Sequence, residues 1–568
     1  MFPKKIFHQI ITIFAIKNII IMKKTILILI GTIFTIVSSS ACTNLLVGKA
    51  ASVDGSTMVT YSADSYSLFG ELYHWPAAKY PANTLLDVRE WDSYKYLGKI
   101  PQASQTYNVI GNMNEYQLCI GETTFTGRRE LVDETGIMDY GSLIYIALQR
   151  SKTAREAIKL MTDLVADYGY CSSGESFSIV DKNEVWILEM IGKGAGNKGA
   201  VWVAVRIPDD CIAAHANQAR IHRFPLNDKE NCIFSKDVIS FARSKGFFNG
   251  KDNEFSFAKA YCPIEWGGLR SCEARVWSFF NQYTDNAEKW LPYILGEDPE
   301  PMPLYVKANR KLGVQDLMVS MRDHYEGTPL DPTLDIGAGP FNSPYRFHPL
   351  SWDVDNVKYG FERPTSTQQT GFTFVGQMRN YLPDEIGGVF WFGVDDARFT
   401  VFTPMYACMT ETPDCYRVGN GDFTTFSWTS AFWIHNWVAN MAYSRYSQML
   451  TDVVPLQDKL ENGYLSMQPQ VEQKAKELLQ TGREEAVEFL TSYSVSVAQN
   501  ALNEWKSLGE YLIVKYMDGV VKKEENGKFI HNEFGGSQYP NRPKFDEKYL
   551  RTIVNEKGEW LRVKEIKR

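Results

Sequence analysis

The stretch Ser38-Ser39-Ser40-Ala41-Cys42-Thr43-Asn44-Leu45-Leu46-Val47-Gly48 constrains this chain more than any other. Small residues on its left close an apolar leader, and on its right an apolar run reads as a buried β-strand. Met22-Lys23-Lys24, the apolar segment from Thr25 to Val37 and the small pair Ser39 and Ala41 have the form of a secretory signal cleaved after Ala41. Its apolar segment is shorter than the ~20 residues a bilayer requires. A second apolar run, from Ile6 to Ile21, precedes the lysines and breaks the pattern. Met22 is therefore the expected start, with residues 1–21 an upstream artefact; a retained signal anchor is the alternative.

Cleavage there makes Cys42 the first residue of the mature chain. A thiol of ordinary pKa, ~8.5, is mostly protonated at neutral pH and needs a base. A free α-amine with a pKa of ~7.7–8.0 supplies one from the same residue. Cys42 is thus the candidate nucleophile and its own amine the candidate base. The rival reading is a lipid-anchored surface binding protein, since lipidated cysteines also follow export signals. Ser39 at a position where such signals carry Leu, and a strand in place of a polar tether after Cys42, weigh against it. The expected location is periplasmic or extracellular.

Loss of residues 1–41 removes five lysines and no acids, taking the formal net charge from −7 to −12. With no Lys/Arg-rich segment, this balance argues against a nucleic-acid partner. Of nine cysteines, the eight other than Cys42 (119, 171, 211, 232, 262, 272, 408 and 415) can form disulfides or serve as buried thiols. Cys408 and Cys415, around a Pro-containing turn, are the easiest local pair.

Leu45 to Val47 and Thr57 to Thr60 flank a turn at residues 52–56, giving a hairpin with Cys42 at its open end. Residues 70–106 read as an irregular connection, and residues 115–124 as a strand. A helix is expected from Ser151, with a capping box in Thr153-Ala154-Arg155-Glu156. Residues 177–180 and 185–188 form a hairpin around Asp181, and residues 201–207 alternate as a further strand. Residues 326–365 read as an extended loop, residues 389–393 and 399–402 as strands, and residues 471–516 as helix broken near Gly482. Hairpins with intervening helices imply an α+β fold of antiparallel sheets covered by helices.

Cys42-Thr43 with Leu45-Leu46-Val47-Gly48-Lys49, Asp54-Gly55-Ser56-Thr57, Met113-Asn114-Glu115, the helix start at Thr153 to Ala157, Val185-Trp186-Ile187-Leu188-Glu189, Trp202-Val203-Ala204 and Ala216-Asn217-Gln218 occur in a telling order. In these the chain resembles the cysteine dipeptidases related to secernins. That group lies within the N-terminal nucleophile (Ntn) hydrolases, with bile salt hydrolase and penicillin V acylase. The resemblance runs from Cys42 to about residue 285 and more loosely to about residue 450. It implies an αββα sandwich, two antiparallel sheets between helical layers, over residues 42–450. A mostly helical C-terminal extension, 451–568, follows.

The resemblance further implies hydrolysis of dipeptides through a thioester, with Cys42 as nucleophile and base. By the same resemblance Asp64 holds the cysteine amine or thiol, Asn217 helps stabilise the oxyanion, and Arg275 helps keep the thiolate charged. Taken alone, Asp64 reads as a turn or capping residue, Asn217 as a turn residue and Arg275 as an ion-pair partner. Two positions depart from bile salt hydrolases: Tyr61 stands where they have Arg, and Thr124 where they place an Asn. These argue against a bile-salt or penicillin substrate and leave the second oxyanion donor open. An Ntn amidase acting on N-acyl amides is the alternative activity.

Glu115 and Glu122 can receive a substrate ammonium, although surface placement is the expectation. No metal or organic cofactor is implied. The glycines of residues 192–196 precede a strand, residues 353–356 lack the Gly and distal Glu of a calcium loop, and His215 and His222 lack a zinc-protease context. The expected partner is a short peptide, with neither nucleic acid nor stable membrane insertion; a homo-oligomer is left open.

Overall fold

The computed structural model describes residues 41–564. The leader expected over residues 1–41 lies, apart from Ala41, outside the described residues. The first hairpin forms as expected: Asn44–Val47 pairs antiparallel with Thr57–Asp64, Leu46 opposite Val59. All eight residues of Thr57–Asp64 are buried, as a strand covered on both faces requires.

These two strands sit inside a seven-stranded sheet. Cys211–His215 and Tyr305–Lys307 lie beyond the first strand, and Thr370–Met378, Val389–Val394 and Thr403–Tyr406 lie beyond the second. A second sheet of eight strands is centred on Cys119–Thr126, Gly174–Val180, Val185–Gly192 and Ala200–Ile207, also antiparallel.

Period-two alternation sets the layers. Val185, Ile187 and Ile191 join the same apolar cluster as Leu46, Val59 and Phe390, which share one face of the first sheet, so the two sheets face each other. Trp186, Leu188 and Met190 point the other way, into a cluster with the helices Tyr140–Arg150 and Ala154–Tyr168. The other side of the first sheet is covered by Val314–Met321, Ala431–Tyr443, Tyr446–Thr481 and Arg483–Tyr516. The fold is α+β, with antiparallel sheets and a helical C-terminal region.

Several local expectations change. The Thr153 side chain caps the Glu156 N–H at 3.2 Å, but the Glu156 carboxylate accepts from the Lys152 N–H, one residue before the expected partner. The helix Tyr140–Arg150 escaped sequence reading because most of its faces are buried and it has little polar stripe. Residues 70–106 contain a hairpin, Leu85–Arg89 with Tyr96–Pro101, beside stacked and edge-on rings of Tyr73, Trp75, Trp91 and Tyr145.

Residues 351–360 form another hairpin inside the expected loop, turned by Asp355 and Asn356 at positive φ. Residues 399–402 are not a strand. Arg322 and Gln457 take the Thr400 carbonyl and Glu461 takes the Phe402 N–H, so these backbone groups are withdrawn from any ladder. The expected break at Gly482 is present, but helix already runs from Tyr446 through Pro455 and Pro469.

Cys408 and Cys415 do not pair. With Cys119, Cys171, Cys211, Cys232, Cys262 and Cys272 they remain thiols, most of them buried as small apolar groups. Among the described residues no helix is long and apolar enough to cross a membrane.

Candidate active site

Cys42 is 1% exposed and extends the first strand along the end of its neighbour. The Ala41 N–H donates to the Asp64 carbonyl at 2.8 Å, and the Ser62 N–H donates to the Thr43 carbonyl at 3.0 Å. The intervening Cys42 side chain reaches toward the second sheet, with Sγ 3.5 Å from Glu122 Oε1 and 3.8 Å from the Tyr61 hydroxyl. Tyr61 itself donates to Glu122 Oε1 at 2.5 Å.

Arg275 stands on the helix Ala274–Tyr283, directly after a π-helical turn. Its Nη1 donates to the Cys42 carbonyl at 2.6 Å and to Thr43 Oγ1 at 2.7 Å; its Nη2 donates to Asn217 Oδ1 at 2.9 Å. Burial, then the nearby Arg363 charge, lowers its pKa to about 10, which leaves it cationic at neutral pH. Asn217 adopts the left-handed backbone (φ 60°) that Asn tolerates, and its Nδ2 donates to the Thr124 carbonyl at 2.9 Å. One guanidinium therefore fixes both the Cys42 main chain and the face of the Asn217 amide. Thr124 turns its hydroxyl to Glu175, at 3.0 Å.

Asp64 is fully buried and accepts from Thr370 Oγ1 at 2.6 Å, Ser62 Oγ at 3.0 Å and the Arg363 guanidinium. Arg363 also grips the Ala41 carbonyl. The four expected residues thus share one neighbourhood: Asp64 reaches Cys42 through the Ala41 peptide, Asn217 through Arg275. Sequence reading missed Arg363, which comes from a loop far along the chain and carries no motif.

Glu122 corrects an expectation. It is 1% exposed, not on the surface, because Cys119–Thr126 is a central strand. Glu175, on the neighbouring strand, is fully buried; burial first and the Glu122 charge second push its pKa well above the carboxylate range. Glu175, as the acid, shares a side-chain hydrogen bond with Glu122. Burial also lifts Asp92 to about 6, even though Tyr140 donates to it at 2.9 Å. Tyr61 is held neutral by burial and by the adjacent Cys42 and Glu122.

Glu115 is tied up elsewhere, accepting from the Asn108 N–H and from Arg483. His215 is wedged between Thr123 and Ser178, each 2.7 Å away, and burial lowers its pKa to about 3. Among the described residues no group of three or more His, Cys, Asp or Glu is placed to hold a metal. A cleft of about 640 Å³ opens beside Asn217, bounded by Thr126, Arg128, Arg129, Gln218 and Cys272.

The model of peptidase family C69 matches residues 41–459, which takes in every site residue above. The chain belongs to peptidase family C69. This is a family of cysteine dipeptidases related to secernins, and C69 membership makes the chain a cysteine-type dipeptidase. A probable dipeptidase of Latilactobacillus sakei is 29% identical over 72% of this chain and 82% of its own length. One from Salmonella dublin is 26% identical over 65% of this chain and 81% of its own length. The probable dipeptidase B of Lactococcus lactis is 25% identical over 84% of this chain and 95% of its own length, so its likeness extends into the C-terminal helices.

Proposed function

We propose that this C69 peptidase is an exported Ntn hydrolase, an αββα sandwich whose mature chain begins at Cys42 and which cleaves dipeptides through a thioester. The observation that carries the reading is the Arg275 guanidinium, which joins the Cys42 carbonyl to the Asn217 amide at the head of a central strand. The α-amine freed by cleavage after Ala41 takes the thiol proton, directly or through one water. The thiolate attacks the scissile carbonyl, and the Asn217 amide, its face set by Arg275, meets the developing oxyanion together with a backbone N–H. The α-ammonium then protonates the leaving amine, and water hydrolyses the thioester by the reverse route. Arg363 bridges the Asp64 carboxylate and the Ala41 carbonyl, so loss of Ala41 leaves that pair beside the new amine, which Asp64 holds.

Intact-mass measurement of the secreted protein tests the starting point. The expected mass begins at Cys42 and carries no diacylglycerol; a lipidated or differently placed first residue sinks the proposal. Cys42→Ala should fold and lose all turnover of alanyl-alanine, and retained turnover moves the nucleophile elsewhere.

A further inference from the structure

We propose that Glu122, backed by Glu175, is the receptor for the substrate's free α-ammonium and so restricts the enzyme to peptides with an unblocked N-terminus. This rests on the dipeptidase reading and adds to it the group that reads the amine.

The geometry begins at the nucleophile. Glu122 Oε1 lies 3.5 Å from Cys42 Sγ. In a dipeptide the α-nitrogen sits about 2.5 Å from the carbonyl carbon under attack, by ordinary N–Cα–C geometry. With that carbon about 3–3.5 Å from the sulfur in an attack-ready pose, the nitrogen falls within reach of a carboxylate that already touches the sulfur.

The chemistry of the pair matches an ammonium. Glu175, as the acid, donates to Glu122, and both side chains are at least 99% buried. An ammonium brings three donors and one positive charge. Glu175 in its acid form leaves a single negative charge on the pair, which one ammonium neutralises. Tyr61 donates to Glu122 Oε1 and adds no positive charge to repel a cation. An acylated nitrogen brings one N–H, no charge and a bulky group against buried side chains.

The test compares alanyl-alanine with propanoyl-alanine, identical but for the amine, on the mature enzyme and on Glu122→Gln. The wild type should prefer alanyl-alanine in kcat/KM, or in KM against Ki where propanoyl-alanine turns over too slowly to follow. Glu122→Gln should cut that preference by about 10-fold or more, mainly through KM, as expected when one partner of a buried charge pair is removed. Should Glu122→Gln fail to fold by circular dichroism, Glu122→Asp, which keeps the charge but withdraws it by one methylene, should lower the preference in the same direction. An unchanged preference overturns the assignment. Equal losses on both compounds also overturn it, since they make Glu122 a proton acceptor for the thiol. A wild-type enzyme that cleaves neither overturns the dipeptidase reading beneath it.

Discussion

Asp64 and Arg363 show how much one side chain can hold. Asp64 has no solvent exposure, and Arg363 is its one cationic partner among the ion pairs of the described residues. Arg363→Ala leaves a buried carboxylate without a counter-charge, a change that typically costs about 3–5 kcal/mol. On the proposed mature chain, where Ala41 is gone, it also frees the Asp64 carboxylate beside the new Cys42 amine, so kcat should fall with stability, and Arg363→Lys should restore part of both. Urea unfolding and steady-state kinetics on the three proteins check this; full activity in the alanine variant would sever Arg363 from the site. A second prediction concerns Asp395, whose fully buried carboxyl is pushed up to about 8 by burial and by neighbouring Asp396, although Asn436 donates to it. The folded state therefore binds a proton that the unfolded chain, with an Asp pKa of ~3.9, has released. Its stabilising contribution is complete below about pH 4 and is lost as pH rises toward about 8. Asp395→Asn should raise stability relative to wild type more at pH 8 than at pH 5, read as the difference in urea midpoints. That Cys42, Asp64, Asn217 and Arg275 share a neighbourhood was legible only through the resemblance their neighbours in sequence carry. Glu122 was named as an ammonium receptor but expected at the surface, because a carboxylate on a strand looks solvent-facing until a second sheet is known to cover it, and Arg363, on a loop without a motif, was not legible.

Elements were legible where period and burial agree. The hairpin from Asn44 to Asp64 and the strands from Gly174 to Ile207 announce themselves by turns and alternation. Residues 399–402 have the apolar character of a strand yet form none, because side chains from two distant segments claim the backbone. Arg322, just after the helix Val314–Met321, donates to Glu461 at 2.5 and 3.0 Å and to the Ala397 carbonyl at 3.0 Å. Glu461, on the helix Tyr446–Thr481, accepts in turn from the Phe402 N–H at 2.9 Å. Both charged side chains are at most 5% exposed, so this pair fastens the C-terminal helices to the sheet. Glu461→Ala strands a buried guanidinium and an unpaired N–H, and should destabilise by about 3–5 kcal/mol. An apolar replacement of both partners, Arg322→Met with Glu461→Leu, should cost less than the single change, because no buried charge remains. A double-mutant cycle by urea unfolding measures the difference, and an additive outcome would deny the coupling.

At the scale of the molecule, the cysteines set an unusual condition for a protein read as exported. Chains in oxidising compartments often rely on disulfides, but a body of this size buries a large core and has less need of them. Here the eight cysteines other than Cys42 are thiols. The thiolate is the form that oxidises and exchanges, and burial suppresses it. It pushes Cys171, Cys211, Cys232, Cys262, Cys408 and Cys415 up to about 12, and raises Cys119 and Cys272 as well. Cys42 is set apart by its proposed role, in which its sulfur, beside Tyr61 and Glu122, meets substrate. The native protein should therefore lose one cysteine rapidly to iodoacetamide, together with its activity, while the other eight react only after denaturation. Alkylation under denaturing conditions without reductant should still label all eight, and dithiothreitol should leave the thermal midpoint unchanged. Mass spectrometry of the alkylated protein decides the matter: a pair of cysteines that resists labelling until reduced would mean that a disulfide, and not burial alone, protects this fold.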